Sequence, residues 1–173
     1  MDIVENLAEW SDTFEQNWLA HYQATGETNW AIYNRAKNEQ TPAGKGINLA
    51  ESKLMLISSA GGYLHDSQAS FAAENDLGDY TLRLIPTHTP FTDISFAHTH
   101  YDHTAVNTDP QVLLPLRHLE NMAAAGQIGS LASHVISYMG YQPDIRRTVH
   151  DLIPAIVETA LAAKIDGALL VPA

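Results

Sequence analysis

The chain contains no cysteine. Within its 173 residues that excludes a disulfide, a thiolate-ligated zinc and a cysteine nucleophile. Basic residues are few: nine Lys and Arg stand against twenty Asp and Glu, a net charge of −11 with His neutral. Such a field repels phosphate backbones and anionic lipid, so neither nucleic acid nor a membrane surface is an expected partner. No apolar run approaches the roughly 20 residues that cross a bilayer. The first ten residues, MDIVENLAEW, are acidic and lack the basic-then-apolar order of a secretory leader. The expectation is a cytoplasmic protein. What the chain does hold is apolar material, 45% hydrophobic against 17% charged, which is a globular composition. Its length suits one domain over residues 1–173 with a core of its own.

Two regimes follow one another. Residues 1–40 are expected to be a helical N-terminal extension. Ile3, Leu7, Trp10, Phe14, Trp18 and Leu19 recur at three-to-four spacing, and a second short pattern runs from Trp30 to Ala36. The Pro- and Gly-bearing stretch NEQTPAGKGINLAES reads as a loop. From Lys53 the pattern turns to short apolar runs. KLMLISS, YTLRLIP, DISFAH, HVISYMG and GALLVP are expected strands, the last a central parallel one; VLLPL is a strand or a loop. LRHLENMAAAG is an expected helix closed by Gly126, and residues 144–164 another, kinked or split by Pro154. Strands alternating with helices predict an α/β fold: a mostly parallel sheet with helices on both faces, three layers in the Rossmann or flavodoxin manner. In such folds ligands sit beyond the carboxyl ends of the strands. Ser58–Gly62, His98–His103, Met139–Tyr141 and whatever follows Ala173 should gather there.

The densest chemistry is FAHTHYDHTA, with His98, His100, Asp102 and His103 inside six positions. Three readings are open. The string has the H-x-H-x-D-H form of metallo-β-lactamase-type hydrolases, and imidazole with carboxylate suits zinc, iron or manganese. It would equally serve an organic active site, or be an ordinary polar loop. The hydrolase reading needs a later His and a bridging Asp. His118, His134 and His150 are available, but no distinctive Asp–His pattern accompanies them. His65, His88 and His118 are expected on the surface or in loops, and Trp10, Trp18 and Trp30 in packing. Gly61-Gly62 is as much a turn as a ligand cradle, since no G-x-G-x-x-G or phosphate-loop pattern surrounds it.

Taken in order, KLMLISSAGGYLHDSQASF, GDYTLRLIPTHTP, DISFAHTHYDHTAVNTDPQVLLPLRHLENMAAAGQIGSLASHVISYMGY and KIDGALLVP resemble the selenoprotein B family of glycine, sarcosine, betaine and D-proline reductases. The likeness runs over roughly residues 50–173, and Asp109 to Gly140 is its most specific part. In that family a histidine-rich stretch like the one at 98–103 is normal without a hydrolase metal site. The resemblance therefore requires no resident metal.

The resemblance implies an oxidoreductase subunit for reductive cleavage of a carbon–nitrogen bond in an amino acid or related small molecule. In the family a selenolate attacks the activated carbon, a neighbouring thiol resolves the product, and a dithiol reductant acts downstream. Companion subunits take part, some with a pyruvoyl group. The family places selenocysteine or cysteine, then two residues and a second cysteine, just after the LLVP strand. In this sequence that is after Ala173, and termination at a selenocysteine codon is the favoured expectation. His98, His100, Asp102 and His103 are the expected catalytic residues, for proton transfer or substrate binding. Ser58, Ser59, Gly61, Gly62, Met139 and Tyr141 are the expected substrate-binding residues. Two rivals remain: a metal-dependent hydrolase using the histidine string, and a non-catalytic remnant or binding domain. Self-association is also expected, because the final strand would lack a following helix.

Overall fold

The structure is a computed structural model that describes residues 3–41 and 46–173. Its N-terminal arm begins with α1 (Leu7–Phe14), passes through a π turn at Glu15–Leu19, and continues as α2 (Ala20–Thr25), which Gly26 ends at φ 72°. Trp10, Phe14 and Trp18 follow at i+4 steps and form the buried stripe that the spacing predicts. They pack on Tyr33, Leu77 and Ile145, so the arm lies along the side of the sheet-bearing core.

The expectation of helix up to residue 40 fails after a single 3-10 turn at Trp30–Ile32. Backbone groups of the following segment find partners on the arm instead of in a helix of their own. Asn34 O accepts from Trp10 Nε1 at 2.7 Å, and the amides of Glu39 and Gln40 donate to the Glu5 carboxylate at 2.9 and 3.0 Å.

The main sheet contains β1 (Lys53–Ser58), β3 (Leu82–Pro86), β5 (Ser130–Leu131), β6 (His134–Tyr138) and β7 (Gly167–Val171). Leu54 pairs with both Leu131 and Gly167, and Ile57 with both Ile136 and Leu170. Those double pairings put β5 and β6 on one side of β1, as two pieces of one interrupted strand, and β7 on the other. All three pair with β1 in parallel; β3 runs antiparallel on β6. The sheet is thus mixed but mostly parallel.

β1 is apolar throughout because both its faces are covered. Leu54 and Leu56 face a core with Ile85, Val135 and the helix α4 (Leu116–Ala124), through Leu116 and Leu119. Met55 and Ile57 face Ile136 and the helix α6 (Ile153–Ala162), through Ile156 and Ala160. Helices on both faces give the expected α/β class. Ahead of α6 run the single turn α5 (Ile145–Arg147) and a π turn at Thr148–Leu152. Pro154 stands at the start of α6, and the wide turn just before it accommodates the missing N–H.

Two further strand expectations change. The segment 93–98 yields only β4 (Ile94–Phe96), which pairs antiparallel with β2 (Gly62–Leu64) outside the main sheet. VLLPL is no strand: Pro110–Val112 is a 3-10 turn that follows the short helix α3 (Thr104–Thr108). β7 is not central either. Among the described residues it pairs with β1 alone, and Leu170 is 68% exposed.

Candidate functional site

The carboxyl end of the sheet brings the sequence motifs together. After β1 the chain must turn sharply: Gly61 sits at φ 69°, and a Cβ there would lie 2.5 Å from Ala97 O. Only glycine fits that close approach without displacement. Gly61 N donates to Tyr138 O at the end of β6, and Ala97 N donates to Gly61 O. The histidine loop is thereby seated on the 60–62 turn. Gly140 N donates to Ser59 O, and Ser59 N to Val171 O. Finally, Ala173 N donates to Ser59 Oγ at 2.8 Å, so the chain leaving β7 passes beside the same turn.

Within the loop the polar groups are largely turned inward. The amide of His100 donates to His98 Nδ1 at 3.0 Å. Nδ1 is then an acceptor, which places the His98 proton on Nε2. His103 Nε2 lies 2.5 Å from His98 O; a carbonyl only accepts, so that nitrogen carries hydrogen. Asp102 Oδ1 accepts from the amide and hydroxyl of Thr104 at 2.9 and 2.7 Å, bonds that hold its carboxyl below the usual range. His98 is buried, and burial followed by the neighbouring His100 and His103 pushes its pKa down to about 4. It is a neutral Nε2–H imidazole at physiological pH.

Aromatic rings frame these groups. Tyr101 packs 4.7 Å from the His98 ring, stacks on His103 at 4.5 Å and donates its hydroxyl to Ala60 O at 3.0 Å. Burial raises its phenol to about 12, so it stays a donor. The His100 ring lies face to face with Tyr141 at 3.7 Å and 6°. Tyr101 was not singled out in the sequence; its signal was its place between His100 and Asp102, where the chain must fold back on itself.

The expected substrate-binding residues divide. Ser58 is fully buried, its hydroxyl donating to Leu113 O at 2.9 Å, and Met139 is fully buried. Both are scaffold in this structure, facing no open space. Gly62 would place a Cβ at ordinary contact, 3.5 Å, from Leu114, Phe96 and Ser137, so it is packed among them. Ser59, Gly61 and Tyr141 border the histidine loop. Recesses of about 310 and 330 Å³ flank it, one beside Gly140 and Tyr141, the other beside His103 and Asn107. A larger cavity, about 810 Å³, lies at the opposite end of the sheet near Lys53 and Ser130. There Glu120 ties up both Arg117 and His88, at 3.1 and 2.7 Å. The histidine loop, with its burial-shifted groups, is the stronger candidate.

The metal reading requires converging ligand atoms. Among the described residues no group of three or more His, Cys, Asp or Glu side chains is arranged to hold an ion. His98 Nδ1, His103 Nε2 and Asp102 Oδ1 each serve the loop's own backbone or side chains.

The glycine/sarcosine/betaine reductase selenoprotein B family matches residues 25–172. The chain belongs to that family. Its match begins in the arm, ahead of the residue-50 boundary expected from the sequence. D-proline reductase subunit gamma of Acetoanaerobium sticklandii is 28% identical over 131 residues. That alignment covers 75% of this chain and 51% of the relative, so the chain spans about half the relative's length. No solved structure matches the chain. Among the described residues no helix is long and apolar enough to cross a membrane.

Proposed function

We propose that this selenoprotein-B-family chain is a cytoplasmic reductase subunit for carbon–nitrogen bond cleavage in an amino acid or related small molecule. In that reaction the C–N bond is replaced by C–H, and the nitrogen leaves as an amine or, in a cyclic substrate, stays on the opened chain as an amine. Two electrons come from a dithiol, which ends as a disulfide. A selenocysteine or cysteine carried beyond Ala173 would supply the nucleophilic selenolate or thiolate.

The observation that carries this reading is the Ala173 N to Ser59 Oγ bond, 2.8 Å. It directs the chain leaving β7 toward the turn on which the histidine loop is seated. The donor set there fits a redox group that needs protons moved beside it: three imidazoles and a phenol on one six-residue segment. His98 offers its Nε2–H, fixed in tautomer by the His100 amide. His100 presents the ring face that Tyr141 does not cover, and remains exposed. Asp102, held as a carboxylate by Thr104, fixes the start of α3. Ser59 and Gly61 shape the floor. The relative's name, a subunit of D-proline reductase, supports companion subunits for this chain as well.

The test uses the natural continuation of the chain beyond Ala173, expressed with selenocysteine incorporation and purified with its companions. Dithiol-dependent C–N cleavage of a panel of small amino acids is measured, as released amine or, for cyclic substrates, as ring-opened product. Cleavage is expected, and His100→Ala should lower turnover while thermal unfolding changes little. A continuation with neither a selenocysteine nor a cysteine codon, or no cleavage of any of the panel, sinks the reading.

A further inference from the structure

The N-terminal arm touches the candidate site through one line of rings. Trp18, fully buried in the arm, lies 5.3 Å from Trp30. Trp30 meets Tyr33 at 5.0 Å and Tyr141 at 5.7 Å, both edge to face. Tyr141 then lies flat against His100, 3.7 Å away. The tyrosine is fixed at both ends. Its hydroxyl donates to Asp76 O at 3.0 Å, and its carbonyl oxygen sits so close to Gly78 that a Cβ there would approach to 2.7 Å. Gly78 takes φ 79°, a conformation that admits this contact. Trp30 itself is 47% exposed, a poor use of an indole if its purpose were core packing alone.

We propose that Trp30 and Tyr141 are positioning residues, through which the N-terminal arm fixes the orientation of the His100 ring at the candidate site. The mechanism is geometric. Among the described residues the backbone of the loop holds His100 through its amide bond to His98, and the ring's hydrogen bonding is limited to a 3.3 Å contact with its neighbour Thr99. The exposed imidazole meets the His98 ring edge to face at 5.6 Å, but its broad, close contact is with the tyrosine face at 3.7 Å. That face is anchored at its hydroxyl by Asp76 O, and Trp30 borders it on the arm side. A ring held in this manner reaches the productive geometry without losing rotamer freedom at the moment of reaction. The proposal rests on the reading that the 98–103 loop is the working part of the site. Its readouts are spectroscopic, so a failure of the coupling is separable from a failure of the reductase reading.

The experiment follows the His100 amide exchange rate and the His100 ring proton signals in the full chain. Stacking on Tyr141 places those ring protons upfield. Trp30→Ala is expected to raise His100 amide exchange roughly three- to tenfold, the equivalent of one aromatic pair, and to move the ring signals toward unstacked positions. Trp30→Phe, which keeps a ring, should stay close to the parent; Tyr141→Phe, which keeps the ring but loses the bond to Asp76 O, should change less than Tyr141→Leu, which should reproduce the Trp30→Ala change. Ile32→Ala is the control, on the same 3-10 turn but outside the ring line. If Trp30→Ala leaves both readouts unchanged, or Ile32→Ala moves them equally, the arm does not position His100 and the proposal falls. Should Trp30→Ala unfold the arm, the Tyr141→Leu and Tyr141→Phe pair decides, and equal behaviour of the two overturns the proposal.

Discussion

The amide of His100 donates to Nδ1 of His98 across 3.0 Å, an i to i+2 bond of the kind an asparagine side chain makes in a turn. The bond and the burial of His98 make the same demand: the imidazole must be neutral. Its pKa falls from 6.5 to about 4, so between those values the unfolded chain binds a proton that the folded chain refuses. Stability therefore rises with pH through that window and is lost as pH falls from about 6.5 toward 4.

The first prediction tests that linkage. Unfolding free energy should drop by on the order of 1–3 kcal/mol between pH 7 and pH 4 on account of His98. His98→Asn keeps an acceptor for the His100 amide and removes the titrating ring. It should stay near parental stability at pH 7 and flatten the acid slope, as read by urea titrations at several pH values. An unchanged slope in His98→Asn would show that other groups carry the acid sensitivity.

The second prediction concerns Gly61. Its φ of 69° and the 2.5 Å approach of Ala97 O mean that an added methyl group is both strained and obstructed. Gly61→Ala should cost more than about 2 kcal/mol, more than the left-handed conformation alone accounts for. Gly126 has a similar φ, 71°, with nothing near its Cβ position. Gly126→Ala should cost only about 1 kcal/mol. Denaturant midpoints of the two variants give the comparison, and equal costs would remove the claim that Gly61 seats the histidine loop.

These two sites show what the sequence could and could not disclose. β1, β6 and α4 were legible because both-face burial leaves continuous apolar runs, and a helical face leaves its spacing. The meeting of the 58–62 and 139–141 segments followed from placing them after strands, whereas the 98–103 loop reaches them through the separate β2–β4 pair. The lateral position of β7 was not legible, since GALLVP is equally apolar at a centre or an edge; pairing decides it. Residues 33–36 misled for a related reason. Trp30 and Tyr33 satisfy a helical spacing, yet their rings are held in the aromatic cluster and the backbone beyond them bonds to Trp10 and Glu5. Within the site, the letters named the imidazoles, but their inward hydrogen bonds and the Tyr141 stack are tertiary facts. Ser58 and Met139 are fully buried because the strand ends that carry them are covered on both faces, which the letters alone do not reveal.

The third prediction concerns the outer edge of the sheet. Leu170 and Leu169 are 68% and 38% exposed on β7, and Leu161 on α6 is 72% exposed. An uncharged strand paired on one side only is a template for further pairing. The 173-residue chain should self-associate with rising concentration, and Leu170→Lys should shift it toward monomer without lowering thermal stability. Sedimentation velocity across a concentration series reads this directly. A parent chain that stays monomeric at the highest concentration would mean that the exposed leucines have no pairing role.

The last prediction separates the reductase reading from the hydrolase one. A dinuclear hydrolase site holds its ions through dialysis because several imidazoles and carboxylates act together. Here His98 Nδ1 already accepts from the His100 amide, Asp102 Oδ1 from Thr104, and His103 Nε2 is turned to His98 O. Binding a metal would require breaking these bonds, which also define the start of α3. Protein purified without an affinity tag should therefore retain well under one equivalent of zinc, iron or manganese after dialysis, measured by mass spectrometry. Added zinc should bind weakly and fail to raise the thermal midpoint, because the nine histidines of the unfolded chain compete for it. Two tightly held equivalents, together with a hydrolase activity lost on chelation, would overturn the loop geometry described above and replace the reductase reading with a metal-dependent one.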